Sequence, residues 1–203
     1  MTDSERNKLQ KLREIADPFK ALLFDVDGTL ADNMHAHKAA YVATAKEYGI
    51  DLDEALIDET AGWPTVAVAE EISKRYGVEF DFAQFSKRKS AIFIERFIQD
   101  TQPVNYVREL LVENVSKKKI GIVSGGSRST LQITLQVIDV HDKYETMVCA
   151  GDTPQGKPSP APFLLCAEQL NIAPEECLVF EDGDPGVQGA VRAGMAWVRI
   201  DQL

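Results

Sequence analysis

The segment at residues 22–30, with the sequence LLFDVDGTL, constrains the fold of this chain more than any other. Three apolar residues run directly into Asp25 and Asp27, and Gly28 and Thr29 follow. A short apolar run that ends at a glycine-containing loop is typical of a buried strand. In open α/β sheets ligands bind beyond the carboxyl ends of the strands, which is where the two aspartates would lie. The alternative is an acidic turn without function, since Asp and Gly are common turn residues.

Strand and helix patterns alternate from about residue 116 to the end of the chain. In order, they predict a strand at 120–123, a helix at 130–137, a strand at 146–149, a helix at 162–170, a strand at 178–180, a helix at 187–193 and a strand at 197–200. Such alternation with short connections produces right-handed crossovers and a parallel sheet, to which the strand before Asp25 also belongs. The predicted fold class is α/β, with a doubly wound, Rossmann-like parallel sheet.

The block at 33–115 carries helical patterns and almost no strand signal. The helices predicted in it lie at 34–48, 64–76, 82–99 and 103–115. Because this block interrupts the α/β pattern directly after the two aspartates, we expect an inserted, small all-helical cap domain over the sheet edge. The predicted division of the chain is an N-terminal extension at 1–17, a core at 18–32 and 116–203, and a cap at 33–115. Leu9, Leu12 and Ile15 have helical spacing in the extension, although a frayed terminus is the alternative.

Polar residues follow two further predicted strands in patterns that suit a phosphate group. Ser124 and Gly125 come between a strand and a helix, where backbone N–H groups and the helix dipole face an anion. Capping of that helix by Ser127 is the structural alternative. Lys157 stands between a glycine and a proline, which restrict its backbone and hold its ammonium as a point charge for phosphate. A lone loop lysine is otherwise an ordinary solvated charge.

Acidic residues follow the strand at 178–180. Glu181, Asp182 and Asp184 lie within four positions, and clustered carboxylates repel one another unless a cation or N–H donors compensate. Hard oxygen ligands with no His or Cys nearby favour Mg²⁺ over Zn²⁺. An acidic loop in which Asp184 caps the next helix is the alternative.

These four segments, taken together, resemble the four motifs of the haloacid dehalogenase-like hydrolases, a family of Mg²⁺-dependent aspartyl phosphotransferases. The segments are DVDGTL at 25–30, SGGSR at 124–128, GKPSPAPF at 156–163 and FEDGDPGVQGAVRAGM at 180–195. The last departs from the family pattern at Gly183, where a small Ser or Ala is usual, and at Gly189, where Ala is usual. The helical insert resembles the β-phosphoglucomutase-like branch, and the C-terminal half resembles bacterial fructose-1-phosphate and related sugar-phosphate phosphatases.

The resemblance implies a role for each matching residue. Asp25 would attack phosphorus to form an aspartyl phosphate, and Asp27 would protonate the leaving sugar oxygen and then activate water. The phosphate-binding residues implied are Gly28, Thr29, Ser124, Gly125 and Lys157. The Mg²⁺ ligands implied are Asp25, Asp27 through its backbone carbonyl, Glu181 and Asp182.

The cap is expected to select the substrate. His37 stands on the first predicted cap helix, where this branch often has a functional histidine; an exposed helix histidine is the alternative. Gly62 offers a hinge-like turn, and Trp63 offers a flat apolar surface on which a sugar can stack. A buried core tryptophan is the alternative for Trp63.

Three hypotheses on function follow. The first is a Mg²⁺-dependent phosphatase that hydrolyses small sugar phosphates similar to fructose 1-phosphate. The second is a β-phosphoglucomutase, an isomerase with the same core motifs and an additional cap arginine for a second phosphate. The stretch at 62–72 contains neither Arg nor Lys, which disfavours the mutase. The third is a non-catalytic metal- or phosphate-binding protein on this fold.

Charge and cysteine content narrow the expected partners. The formal net charge of −10 argues against nucleic acid and anionic membranes, since both attract basic patches. No apolar run approaches the roughly 20 residues of a membrane span. Three cysteines and no signal-like segment are typical of a reducing compartment. We therefore expect a cytoplasmic monomer or weak homodimer whose partner is a small phosphorylated sugar.

Overall fold

The computed structural model describes residues 1–60 and 63–203. Its strands are β1 (Ala21–Phe24), β2 (Ala31–Asp32), β3 (Gln102–Pro103), β4 (Lys119–Val123), β5 (Thr146–Val148), β6 (Cys177–Glu181) and β7 (Ala196–Arg199). Its α-helices are α1 (Asp3–Ala16), α2 (Met34–Glu47), α3 (Ala55–Glu59), α4 (Thr65–Tyr76), α5 (Phe82–Ile92), α6 (Asn105–Asn114), α7 (Arg128–Val137), α8 (Ala161–Leu170) and α9 (Asp184–Arg192).

Five of the strands form one parallel sheet in the order β5-β4-β1-β6-β7. β1 is therefore the central strand, and Leu23 pairs with Gly121 on one side and Val179 on the other. The rings of Phe24 and Phe180 stack with centroids 4.6 Å apart. The predicted α/β class with a parallel, Rossmann-like sheet is confirmed, and the segment after β1 leaves from the middle of the sheet edge.

Alternate residues of β1 pack on opposite faces of the sheet. Leu22 and Phe24 belong to a buried cluster with α1, α6 and α7, whereas Leu23 belongs to a second cluster with α8 and α9. Full burial of each of these side chains stabilises the folded state by about 1.5–3 kcal/mol relative to leaving it exposed. Helices thus cover both faces of the sheet, and its strand ends are the place where a site is expected.

The N-terminal extension forms α1, with a capping box in which Thr2 and Glu5 satisfy each other's backbone N–H groups. Leu9, Leu12 and Ala16 are buried in the first cluster. The prediction that Ile15 shares the apolar face of Leu9 and Leu12 was wrong, since Ile15 is 39% exposed. Ala16, four positions after Leu12, points to the core in place of Ile15.

The inserted helices α2, α4 and α5 pack around a separate apolar cluster that contains Tyr41, Ile72 and Phe85. The single helix predicted at 82–99 changes its hydrogen bonding part-way: α5 gives way to a π-helical turn at Phe93–Phe97 and a 3₁₀ turn at Ile98–Asp100. α3 was not predicted. It is a short helix of five residues, too short for a periodic pattern to reveal.

Helix α6 packs with the core. Its residues Val107 and Leu110 lie in the same cluster as the sheet residues, and Arg108 Nε donates to the carbonyl of Ile138, 2.8 Å away. The predicted cap at 33–115 includes this helix. We therefore propose a shorter cap, at about 33–101, joined to the core by the antiparallel ribbon of β2 and β3. Within the described residues, no helix combines the length and apolar character that crossing a membrane requires.

Candidate active site

Three of the predicted site segments meet at the carboxyl edge of the sheet. Asp25 follows β1, Ser124 follows β4, and Asp182 follows β6, each as the first residue after its strand. β4 and β6 are the two neighbours of β1. Because the three strands are parallel, their carboxyl ends meet at one edge, as expected for a ligand site in this class of sheet.

Lys157 links two of the acidic side chains. Its Nζ lies 2.6 Å from Asp25 Oδ1 and also donates to Glu181 Oε1. Burial disfavours the charged ammonium, but the negative charges of Asp25 and Glu181 outweigh burial and raise the pKa of Lys157 above its usual value. The lysine therefore stays protonated and is aimed at the predicted nucleophile from the loop before α8.

Asp25, Glu181 and Asp182 each offer a carboxylate oxygen, and these oxygens lie within 4.8 Å of one another. Burial, together with the charge of Glu181, raises the pKa of Asp182 to about 6. Burial also raises the pKa of Asp25, and Lys157 opposes this only in part. A cluster of carboxylates at such a distance, with oxygen donors alone, fits a hard divalent cation.

Gly28 makes room for this cluster. Its φ is +88°, and a Cβ built on it would lie 2.1 Å from Asp182 Oδ2. Thr29 Oγ1 donates to Asp182 Oδ1 over 3.3 Å, and its side chain is fully buried. Any larger residue at position 28 would displace the carboxylate of Asp182.

Asp27 faces the cap rather than the three-carboxylate cluster. Its Oδ1 accepts from Asn33 Nδ2 at 2.6 Å and lies 3.2 Å from His37 Nε2. Burial acts to raise the pKa of Asp27, but His37 and the hydrogen bond from Asn33 lower it to about 2. Its side chain is thus separated from that of Asp25 and held in place by Asn33 and His37. The prediction that Asp27 contributes only its backbone carbonyl to a metal is compatible with this orientation.

A buried lysine of the cap supports His37. Lys89 Nζ lies 2.6 Å from His37 Nδ1, and the imidazole stacks on Phe93 with centroids 4.1 Å apart. Burial and the charge of Lys89 lower the pKa of His37, so the ring is neutral at pH 7. Since an ammonium can only donate, Nδ1 is the acceptor and the proton lies on Nε2, from which it is donated to Asp27.

Ser124 and Gly125 form the start of the loop before α7. Ser124 is buried, and its Oγ accepts from the N–H of Gly126 at 3.2 Å. Ser127 caps α7 through the N–H of Thr130, so the capping interpretation of Ser127 holds beside the proposed phosphate role of Ser124. The loop leaves Gly125 with open space around its Cα.

Of the cap-loop residues expected to meet a substrate, Trp63 is described and Gly62 lies outside the described residues. The indole of Trp63 is 48% exposed, which excludes the alternative of a buried core tryptophan. Its contact with a sugar stays a prediction. His37, by contrast, lies against Asp27 and is not the exposed helix histidine of the alternative interpretation.

Comparison with known proteins places this arrangement in a family. A family model described as haloacid dehalogenase-like hydrolase matches residues 22–200. The chain belongs to this family. A phosphorylated carbohydrates phosphatase of Thermotoga maritima is 31% identical over 183 residues, which cover 87% of this chain and 82% of that protein.

One further sequence relative and one solved structure are similar to this haloacid dehalogenase-like hydrolase. A fructose-1-phosphate phosphatase of Escherichia coli K12 is 26% identical over 185 residues, covering 91% of this chain and 98% of that protein. The crystal structure of a β-phosphoglucomutase from Clostridium difficile matches with a TM-score of 0.77 at 25% identity, covering 89% of this chain and 84% of that one. The predicted family and the predicted class, a phosphoric monoester hydrolase, are confirmed.

Sequence reasoning missed Lys89 in this haloacid dehalogenase-like hydrolase. The run Lys87-Arg88-Lys89 is typical of a solvated helix face, with a border to an anionic ligand as the alternative, yet Lys89 is only 5% exposed. A signal was present, because Lys89 lies four residues after Phe85 and four before Phe93, on the apolar stripe of the helix. Its Nζ also lies 4.6 Å from the ring centroid of Tyr41, which favours the cation.

Replacing Lys89 with Met is expected to lower kcat by roughly 10- to 100-fold, the scale of a small misplacement of a reacting group. Without the Nδ1 donor, His37 can adopt the other tautomer and lose its hydrogen bond to Asp27. Burial lowers the pKa of Lys89 to about 8, so the buried ammonium costs free energy at pH 7 that Met does not. We therefore expect no fall in melting temperature.

The matched control is Lys87→Met, on the same helix but exposed. It should change neither kcat nor the melting temperature. Wild-type kcat in Lys89→Met would show that Lys89 serves packing alone.

Proposed function

We propose that this protein is a Mg²⁺-dependent phosphatase of small phosphorylated sugars, acting through an aspartyl phosphate. One observation supports this most strongly. The carboxylate of Asp25 is paired with Lys157 at the sheet edge, while the side chain of Asp27, two residues away, is held apart by Asn33 and His37. Nucleophile and acid–base group are therefore separate and independently oriented, as a two-step phosphoryl transfer requires.

In the proposed reaction the negative charge of the bound phosphate raises the pKa of Asp27, which takes up a proton. Asp25 then attacks phosphorus, and the leaving sugar oxygen takes that proton from Asp27. Asp27, now a carboxylate, removes a proton from the water that attacks the aspartyl phosphate. The bond between phosphorus and Asp25 breaks, so that Asp25 is again a carboxylate, Asp27 is again protonated and inorganic phosphate leaves. Lys157 and Ser124 neutralise the phosphoryl oxygens throughout. Asp25, Glu181, Asp182 and the backbone carbonyl of Asp27 would hold Mg²⁺, which when bound supplies positive charge to the transferring group.

The cap favours a phosphatase over a mutase. A mutase must hold a second phosphate with a cap cation, and several cap cations are already engaged. Lys38 lies 2.5 Å from Asp58, and Arg75 Nε lies 2.6 Å from Glu71. Lys89 is buried against His37 and is oriented away from solvent. A phosphatase needs no distal anion site, because water is the second acceptor.

The complete set of reactive side chains argues against a non-catalytic role. A protein that only bound phosphate would not need a buried carboxylate beside the lysine, since like charges repel. The proposed setting is the cytoplasm, supported by three unpaired, buried cysteines. A monomer or weak homodimer, without nucleic acid or membrane partners, stays a prediction.

We expect the purified protein to release inorganic phosphate from one or more members of a panel of hexose and pentose monophosphates. Release should require Mg²⁺ and stop in excess chelator, because the three carboxylates need a cation to neutralise them beside a phosphate. In parallel, NMR follows β-glucose 1-phosphate in the presence of a bisphosphate primer. Conversion to glucose 6-phosphate faster than phosphate release would favour the mutase instead, and full activity in chelator would exclude the metal.

A further inference from the structure

The loop that carries Lys157 is supported by the last turns of α9. Arg192 Nη1 donates to the carbonyl of Pro158 at 2.9 Å. Ser159 N donates to Gly156 O at 2.9 Å, which closes the loop around the lysine. The position of the catalytic ammonium therefore depends on how closely α9 approaches this loop.

The contact between loop and helix is tightest at Gly189. A Cβ built there would lie 2.6 Å from Phe163 Cε2 and 3.1 Å from the backbone oxygen of Ser159. A real Cβ atom essentially never lies within 3.0 Å of another heavy atom, so something must shift. Phe163 is 1% exposed and therefore has little room to move. A single methyl group at 189 would press on the loop at Ser159 and on Phe163 of α8.

Phe163 also lies beneath the lysine. Lys157 Nζ lies over the Phe163 ring, 5.7 Å from its centroid, and 2.6 Å from Asp25 Oδ1. A displaced ring would move the ammonium away from one of its two carboxylate partners, Asp25 and Glu181. A side chain at 189 would therefore act on the ammonium of Lys157 through the ring of Phe163.

Gly183, in the same segment, has room for a side chain, unlike Gly189. It is the other position at which this chain departs from the family pattern, and a Cβ there would meet only Pro185 Cδ, at 3.6 Å. That separation is an ordinary van der Waals contact. The family pattern alone predicts that Ala is equally acceptable at 183 and 189, whereas the packing distinguishes the two.

We propose that Gly189 is a positioning residue for Lys157: the lack of a side chain lets Phe163 and the loop at 156–160 approach α9 closely enough for the ammonium to reach both Asp25 and Glu181. This role rests on the proposed phosphatase function. Gly189 does not touch substrate, so it acts only through the residues packed on it.

The test compares Gly189→Ala, Gly183→Ala, Phe163→Leu and the double variant Gly189→Ala with Phe163→Leu. Gly189→Ala should lower kcat by roughly 10- to 100-fold with a smaller change in KM, because the ammonium acts most strongly on transition-state charge. Its melting temperature should change little, since Ala favours the helix by about 1 kcal/mol over Gly and offsets the strain. Gly183→Ala should keep wild-type kcat.

The smaller Leu side chain should relieve the contact and restore most of kcat in the double variant, relative to Phe163→Leu alone. Such a recovery shows that the two positions are coupled, which a general loss of stability would not produce. Wild-type kcat in Gly189→Ala, or an equal loss with and without Phe163→Leu, would overturn the proposal.

A structural measurement separates this proposal from the proposed function. If the wild-type protein hydrolyses none of the sugar phosphates, the proposed function fails, and crystal structures of wild type and Gly189→Ala still test the positioning role. A separation of Lys157 Nζ from Asp25 or Glu181 beyond hydrogen-bonding distance in the variant supports it. Both contacts unchanged in the variant would refute it.

Discussion

Replacing Asp25 with Asn is expected to abolish phosphatase turnover, by roughly 10⁴-fold or more, as loss of a nucleophile does in other covalent enzymes. An amide oxygen is too weak a nucleophile to attack phosphorus, while its shape is nearly that of the carboxylate. The measurement is steady-state phosphate release from the best sugar phosphate. Rapid quenching with ³²P-labelled substrate should also detect no labelled protein.

The fold should survive this change. Asp25 is one of three carboxylates whose oxygens lie within 4.8 Å, and removing one negative charge relieves their repulsion. Lys157 keeps its contact with Glu181, so its ammonium is not left unpaired. We expect a melting temperature equal to or above that of wild type in the absence of metal. Asp51→Asn, at an exposed cap aspartate, is the matched control. Appreciable steady-state turnover in Asp25→Asn would exclude Asp25 as the nucleophile.

Replacing Asp27 with Asn is expected to lower kcat by about 10²- to 10⁴-fold, the usual contribution of general acid–base catalysis. The Asn oxygen can still accept from Asn33 and His37, so the local structure should be kept. Formation of the aspartyl phosphate and its hydrolysis should respond differently to the loss of this carboxylate. A substrate with an acidic leaving group, such as a nitrophenyl phosphate, needs no proton in the first step, but the aspartyl phosphate still needs a base for hydrolysis.

Labelled phosphoenzyme should therefore accumulate in Asp27→Asn with that substrate and be released by hydroxylamine. Asp25→Asn should show none under the same conditions, which separates the nucleophile from the acid–base group. Asp32→Asn is the control, because Asp32 is exposed and lies in the same segment before α2. Wild-type kcat in Asp27→Asn, or the absence of trapped phosphoenzyme, would assign the proton transfers to another residue.

Much of the site could be predicted because its signals are local. The apolar run before Asp25, the glycine after Asp27 and the position of Asp182 directly after a strand each appear within a few residues of sequence. Parallel strands then bring their carboxyl ends together irrespective of the sequence between them. The same reasoning placed Lys157 in a loop, but not its contact with both Asp25 and Glu181, which depends on side-chain reach across the sheet edge.

Other features depend on which distant element packs against a residue. Helix α6 has an amphipathic pattern that fits either the core or the cap. Its packing with α1 in one buried cluster assigns it to the core. The sequence shows only that Gly189 departs from the family pattern. The structure shows that a side chain at this position would collide with Phe163.

The amino-acid sequence by itself determined the class of fold, the family and the order of the reactive residues, because periodicity and turn chemistry are encoded over short stretches. Only the tertiary structure showed that Lys89 is buried against His37 and that Asp27 faces the cap. The physical reason is that a charged side chain can be buried only where partners from other elements compensate its desolvation. Those partners come from α2 and from the loop after β1, so no local pattern around Lys89 could specify them.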